Sequence, residues 1–191
     1  MSVFLISQIC TPFLFYYQTP KIAGQLGLSL TIVNMLGLLS QSWIVRRVPM
    51  MSNAVANKEW ELLDKLFKKD LQYSLLVFIF GAFFILVGYQ FISYTNYADR
   101  VLDFQLFLGL LVFTFFNYIN ISLSTQIRSF KKEPLVWVSL FGAFFIIINT
   151  WVTTKEFSVN EMIFGMVLIQ ILFIFPASFF TWKLHNKIYR I

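Results

Sequence analysis

The chain has 191 residues, of which 58% are hydrophobic and 13% are charged, and 24 are phenylalanine. Soluble domains have about 25% charged residues, and one packed core of this size would not enclose so many phenylalanines. The composition therefore excludes a secreted disulfide-rich protein, a nucleic-acid-binding domain and a disordered chain. It indicates a membrane protein with several spans.

Six uncharged stretches of at least 20 residues divide the sequence. About 20 residues of α-helix cross the roughly 30 Å hydrocarbon core of a bilayer. The predicted fold is therefore all-α and integral to the membrane, with a single domain over residues 1–191 and six transmembrane helices. The approximate spans are residues 3–18, 22–44, 73–92, 104–124, 135–151 and 162–182.

The cations are concentrated in alternate connections between the predicted spans. Twelve of the fifteen lysines and arginines follow the second, fourth and sixth spans, and only Lys21, Arg100 and Lys155 follow the others. Because cytoplasmic loops are enriched in lysine and arginine, this asymmetry predicts that both termini are cytoplasmic. It also accounts for the net charge of +6 without a nucleic-acid partner.

The longest connection, after the second span, contains an amphipathic pattern over residues 57–71. Apolar residues recur there at spacings of three and four, and two acid–lysine pairs are four residues apart. The pattern predicts a cytoplasmic helix. Such a helix would lie either in the membrane interface, with its cations toward lipid head groups, or in solvent between two spans.

The sequence offers few groups for catalysis. It contains no glycine motif for phosphate binding, no cluster of cysteine and histidine, and no two carboxylates within one span. We therefore expect a protein that is not an enzyme and that has no cofactor or metal. The rival interpretation, a membrane transferase acting on polyprenyl carriers, would depend on Asp99, Asp103 and His185.

Uncharged polar side chains form stripes on three predicted spans. Spacings of three and four place Thr31 in one stripe on the second span and Thr114 in another on the fourth. Amides in hydrocarbon need partners or water, so such stripes indicate either a hydrated cavity or a hydrogen-bonded seam between helices. The three stripes together favour the cavity. The candidate residues of a substrate path, with Lys21 at the outer mouth, are Gln8, Thr11, Gln18, Lys21, Asn34, Gln41, Asn117 and Asn120.

Two segments of the sequence resemble a known transporter family. Residues 6–8, 11–12 and 14–27 look like the opening of the second half of Wzx-type polysaccharide flippases. These flippases belong to the multidrug/oligosaccharidyl-lipid/polysaccharide exporter superfamily. Pro49 followed by residues 57–69 is similar to the family's cytoplasmic loop, in which a proline precedes an amphipathic helix. The resemblance covers about the first 90 residues.

The resemblance implies a fold and a function. The chain would be the C-terminal lobe of a two-lobe transporter with about twelve to fourteen helices, as a truncated or split-gene product. It would move a polyprenyl-diphosphate-linked oligosaccharide, such as an O-antigen unit for lipopolysaccharide, across a bacterial inner membrane by alternating access. Its partners would be the bilayer, this lipid-linked glycan, and an N-terminal lobe or a second copy.

Two further interpretations follow from the same residues. The chain could be a non-transporting membrane subunit, in which the polar stripes form a seam with another protein. It could also be half of a drug- or cation-coupled exporter of the same superfamily. Since no ATP site is present in the sequence, either kind of transporter would be driven by the membrane potential or an ion gradient.

Overall fold

The computed structural model describes residues 11–95, 100–156 and 158–189. This part of the chain consists of α-helices, one π-helical segment and short connections, and it contains no strand. The predicted all-α fold is therefore confirmed for the described residues. The elements in chain order are α1 (residues 11–17), α2 (Pro20–Val45), α3 (Val48–Ala56), α4 (Trp60–Ser93), α5 (Phe104–Arg128), α6 (Leu135–Glu156), α7 (Val159–Ile169), the π-helical segment (Gln170–Ile174) and α8 (Phe175–Tyr189).

Five helical segments of the described chain are long and apolar enough to cross a membrane. These are the helices expected of an integral membrane protein. Half of the predicted first span, residues 3–18, lies outside the described residues, and in the other half residues 11–17 are helical. That span and the sidedness of the termini stay predictions. The five segments are Pro20–Ala56, Trp60–Ile92, Phe104–Arg128, Leu135–Glu156 and Val159–Ile188.

Local signals set the start of α2 and of the short helix that follows it. Thr19 is extended, and its hydroxyl accepts a hydrogen bond from the Ile22 N–H at 3.4 Å. Pro20 lies in the first turn of α2, where a backbone N–H has no acceptor within the helix, so the N–H that proline lacks costs no hydrogen bond. Pro49 starts α3 in the same way. The sequence prediction contains no helix at this position, so α3 is an addition to it.

The predicted amphipathic helix and the predicted third span form one continuous helix, α4. It begins at Trp60, three residues after the predicted start, because Lys58 has a left-handed backbone conformation with φ of 59°. No glycine or proline interrupts residues 60–80, so no local signal ends the helix between the two predicted elements. Its 34 residues extend roughly 51 Å, whereas the hydrocarbon core is about 30 Å thick.

The structure also differs from the last predicted span, residues 162–182, at its start and at its centre. α7 begins before the predicted residue 162 because Ser158 and Glu161 form a capping box, in which the Ser158 N–H donates to Glu161 Oε2 at 3.0 Å. The π-helical segment then lies immediately before Phe175 and Pro176. A proline ring clashes with the carbonyl four residues earlier, which a widened π turn relieves.

Helix α5 lies at the centre of the described bundle, in contact with α2, α4, α7 and α8. Glycines allow close approach on two sides: a Cβ on Gly37 would lie 3.4 Å from Thr114 Cγ2, and one on Gly109 would lie 3.0 Å from Ile163 Cγ2. Polar side chains on α5 therefore lie within the protein. The largest buried apolar cluster joins α2, α5 and α7 and includes Leu26, Val33, Leu110 and Met162.

Large apolar side chains cover the outer surface of α4. Phe80, Phe83, Phe84 and Phe91 are each more than 60% exposed. Such a surface is unfavourable in water and favourable against lipid. This surface of α4 therefore suits contact with the hydrocarbon of a bilayer.

Candidate functional site

An open groove of about 850 Å³ lies between α1 and α2. Most of its wall is apolar, and besides the exposed Tyr16 phenol three threonine or asparagine side chains interrupt that wall. No charged side chain is among the described residues that line it. The lining residues are Thr11, Pro12, Phe15, Tyr16, Gly27, Leu30, Thr31, Asn34, Met35 and Leu38.

The groove brings together members of two predicted polar stripes. Thr11 comes from α1, and Thr31 and Asn34 come from α2. A Cβ on Gly27 would lie 3.8 Å from Thr11 Cγ2, an ordinary van der Waals distance, so Thr11 packs beside α2 at this position. The two helices therefore present their polar side chains to the same open space.

The three polar side chains differ in their capacity to bind a ligand. The Thr31 hydroxyl donates to the Gly27 carbonyl at 2.8 Å, which uses its proton within the helix. Asn34 is half-buried, and its amide makes no hydrogen bond within the described part of the chain. An amide offers two donors and an acceptor. Asn34 is therefore the strongest candidate in the groove for contact with a hydroxylated ligand.

Other predicted path residues lie outside this lining. Gln18 is half-buried just after α1, and Lys21 is exposed in the first turn of α2, next to the connection between the two helices. Gln41 lies two turns beyond Asn34, and its buried Nε2 has no hydrogen-bond partner among the described residues. Gln8 lies outside the described residues. Of the seven predicted path residues that the structure describes, Thr11 and Asn34 line the groove.

The predicted stripe on α5 lies in the interior of the bundle. Thr114 is buried, and its methyl group packs against Gly37 of α2. Asn117 is half-buried, and Asn120 is 8% exposed with neither amide atom hydrogen-bonded within the described chain. The third stripe thus forms part of the seam between helices and does not line the same open groove as the first two.

A buried hydrogen-bond network that the sequence analysis missed links α2, α4 and α5. Tyr118 Oη donates to Ser74 Oγ at 2.6 Å, and Ser74 Oγ in turn donates to the Ser40 carbonyl. All three residues are buried, and the Tyr118 ring stacks on Phe78 at 5.4 Å. Isolated serines in apolar helices were the available signal, because such hydroxyls commonly bond across helices in membranes.

A buried ion pair joins the connection after α2 to α4. Arg47 Nε lies 3.2 Å from Asp70 Oδ1, and Asp70 Oδ2 is buried without a hydrogen-bond partner in the described chain. The sequence analysis included Asp70 in the predicted cytoplasmic helix at residues 57–71 but did not predict its burial, and Asp70 lies inside α4. Its spacing from Leu63 and Phe67 puts it on the apolar face of that helix, which was the signal for its burial.

The residues of the rival transferase interpretation do not form one site. Asp103 immediately precedes α5, whereas the His185 ring contacts Phe130, just after α5, with ring centroids 5.0 Å apart. The 25 residues of α5 separate these two positions by roughly 37 Å. Asp99 lies outside the described residues. His185 is 5% exposed within α8, so it is a packed residue and not part of a solvated tail.

The described residues contain no group of three histidine, cysteine, aspartate or glutamate side chains that could hold a metal ion. No family model, curated protein or solved structure matches the chain. The functional argument therefore depends on the sequence resemblance and on the geometry of the groove.

Proposed function

We propose that the chain is the C-terminal lobe of a lipid-linked oligosaccharide flippase. It moves a polyprenyl-diphosphate-linked glycan from the cytoplasmic to the outer leaflet of a bacterial inner membrane by alternating access. A second lobe, either a separate N-terminal lobe or a second copy, completes the transporter. The basic connections face the cytoplasm, as do both termini.

The groove between α1 and α2 is the observation that carries this proposal. Its described lining comes from residues 11–27, within the segment that resembles the flippases, and from residues 30–38 of α2. Its hydroxyl and amide groups suit sugar hydroxyls, and its apolar wall suits the prenyl chain beside them. Thr11 and Asn34 are the path residues that the groove brings together.

The diphosphate of the carrier needs positive charge from outside the described lining. Lys21, near the connection between α1 and α2, is the proposed cation at the outer mouth of the path, and the second lobe supplies the remaining cations. Since the sequence has no phosphate-binding glycine motif, the membrane potential or an ion gradient drives transport.

The experiment is a glycan-export complementation test in cells that lack the flippase, with a matching N-terminal lobe supplied. Asn34→Leu removes the amide of the groove, and we expect it to lower export by about tenfold, the effect of one unmade hydrogen bond to a buried group. The matched control is Asn160→Leu, because Asn160 is exposed at the start of α7. Equal export by both variants, or no export with any N-terminal lobe, would contradict the proposal.

The non-transporting subunit remains a second candidate, because the α5 stripe is packed between helices. Cysteines placed at Asn34 and Asn117 in a Cys10→Ser background distinguish the two functions. A hydrated path makes Asn34→Cys reactive toward a membrane-impermeant thiol reagent, and the rate falls when substrate is present. A seam with another protein protects both positions equally.

The drug- or cation-coupled exporter half is favoured by one observation, the buried Asp70 carboxylate beside Arg47. Buried carboxylates in membrane proteins commonly mark ion or proton pathways. If this function is correct, Asp70→Asn abolishes efflux of a cationic dye, whereas Asn34→Leu reduces it little. If the chain is a flippase lobe, neither variant changes dye efflux.

A further inference from the structure

Helices α2 and α5 pack side by side, and α4 closes one side of the seam between them. In the middle of the seam, a Cβ on Gly37 would lie 3.4 Å from Thr114 Cγ2. On the side toward α4, Ser40 of α2 and Tyr118 of α5 are joined through Ser74 in the buried network. The contacts advance in the same order along both helices, so α2 and α5 run parallel to each other.

Helical spacing places further polar side chains on the side of the seam away from α4. Each residue of an α-helix turns the chain by about 100°. On α2, Gly37 therefore lies between Ser40 on one side and Gln41 on the other. On α5, Asn117, Ser124 and Arg128 lie within about 40° of one another and about 80–120° from Tyr118. These three residues and Gln41 thus lie on the side of the seam that α4 does not cover.

This side, which we name the open side of the seam, is accessible along much of its length. Gln41, Asn117 and Ser124 are half-buried, and Leu38 and Val45 beside them are exposed. Gln41 Nε2 has no hydrogen-bond partner among the described residues, so its donor is available to a ligand. The open side therefore combines polar side chains of two helices with apolar ones.

The open side connects the groove to the end of α5. Asn34 and Leu38 line the groove and, at helical spacings of three and four, share a face of α2 with Gln41. From Asn117 the open side continues for eleven residues to Arg128, roughly 16 Å along α5. A molecule bound at Arg128 thus lies on one continuous surface with the groove.

Arg128 differs from the arginines at the end of α2 in how firmly its side chain is held. The guanidinium of Arg46 lies over the Trp43 ring at 4.9 Å, and Arg47 is paired with the buried Asp70. Arg128 Nε lies 3.2 Å from Glu133 Oε1, and both of these side chains are more than half exposed. Because an exposed ion pair contributes little, an anion with more charge than a carboxylate can displace Glu133.

We propose that Arg128 is the loading site for the diphosphate of the prenyl-linked glycan, from which the open side leads to the groove. The guanidinium binds phosphate oxygens in a bidentate manner, and Glu133 competes with the diphosphate for it. Gln41, Asn117 and Ser124 then offer hydrogen bonds along the route, beside the exposed Leu38 and Val45. This inference rests on the proposed function and adds to it the residue that receives the charged group.

The test is calorimetric titration of the full chain, in nanodiscs of zwitterionic phosphatidylcholine, with farnesyl diphosphate as the probe. Arg128→Gln should raise the Kd by about tenfold or more, the effect of losing a charge-assisted hydrogen bond. Arg128→Lys should give an intermediate Kd, because lysine keeps the charge without the bidentate geometry. Glu133→Gln should lower the Kd by up to about fivefold, because it removes the competing carboxylate.

Lys131→Gln is the matched control, since Lys131 is an exposed cation three residues beyond Arg128 and is not on the helical face of Asn117. Its Kd should stay within about twofold of the wild type. Equal weakening by Arg128→Gln and Lys131→Gln, a Glu133→Gln variant that binds more weakly, or a wild type that does not bind the probe would overturn the site. Adenosine diphosphate at the same concentration should not displace the probe, because it lacks the prenyl chain. Equal affinity for both would also overturn the site.

Comparison with the export test separates this inference from the proposed function. If Asn34→Leu lowers export while Arg128→Gln leaves both export and probe binding at wild-type levels, the flippase proposal stands and the loading site is wrong. If probe binding depends on Arg128 but no N-terminal lobe restores export, the diphosphate site stands and the flippase proposal is wrong.

Discussion

At the scale of single residues, Arg47 and Asp70 differ in how far each can reach water. The Asp70 side chain is 3% exposed, whereas the Arg47 side chain is 27% exposed. Arg47→Gln would leave a buried carboxylate without its partner, so we expect a loss of about 3–5 kcal/mol in unfolding free energy. Asp70→Asn leaves a guanidinium that can turn toward solvent, so its loss should be smaller. Thermal unfolding in detergent micelles measures both.

Arg128 and Glu133 provide the control for this prediction, because their side chains are 56% and 55% exposed at the same N–O separation of 3.2 Å. An exposed pair contributes little, so Arg128→Gln should cost less than about 1 kcal/mol. If Arg47→Gln and Arg128→Gln lower the unfolding temperature equally, the Arg47–Asp70 pair is not buried in the folded protein.

At the scale of helices, the sequence predicted the long apolar segments well because hydrophobic runs and loop charges are strong local signals. α5 and α6 begin at Phe104 and Leu135, the predicted starts of the fourth and fifth spans. Both helices continue past the predicted ends, since polar residues in their last turns bond within the protein or face the interface. Thr150 and Thr154, for example, donate to carbonyls four residues earlier.

What the sequence did not predict depends on contacts between distant residues. The burial of Asp70 requires Arg47 as its charged partner. Whether the polar stripe on α5 lines a cavity or lies between helices depends on which helix packs against Gly37. The groove was predictable in part, because helical spacing alone places Thr31 and Asn34 on one face. The position of Thr11 against Gly27 is a tertiary contact, which periodicity does not specify.

The continuity of α4 leads to a prediction about distance. Spin labels at Glu61 and Phe83, both exposed, should be about 33 Å apart with a single narrow distribution, as for 22 residues of one helix. Gln72→Pro should shorten or broaden this distance and cost about 3 kcal/mol, because proline removes a backbone hydrogen bond and clashes with the preceding turn. Electron paramagnetic resonance measures the distance, and thermal unfolding measures the cost.

Gln72→Ala is the control, since Gln72 is exposed and alanine keeps the helix intact. Two separate elements joined near residue 72, as the sequence pattern suggested, would tolerate the proline. A broad distance distribution in the chain without proline would therefore contradict a continuous α4.

At the scale of the whole molecule, the distribution of charge and the packing of the helices distinguish the two ends of the bundle. The aromatic contacts among α4, α5 and α8 lie at the end of the bundle where α5 and α8 end and α4 begins, as does the Arg47–Asp70 ion pair. The groove lies along α1 and the middle of α2, from Gly27 to Leu38. Its last lining residue is eight residues before Arg46, roughly 12 Å along the helix, so the groove lies away from the arginines and lysines at that end.

This arrangement predicts the sidedness of the helices in a cell. Alkaline phosphatase and green fluorescent protein fused after Arg100 and after Arg128 should report opposite compartments, since α5 separates these positions and its 25 residues span about 37 Å. The fusion after Arg128 should be cytoplasmic, because lysines and arginines at that end greatly outnumber those at Arg100. A fusion after Lys155 is the internal control and should agree with the one after Arg100. If the fusions after Arg100 and Arg128 report the same compartment, α5 does not cross the membrane, and the lobe cannot have the proposed orientation.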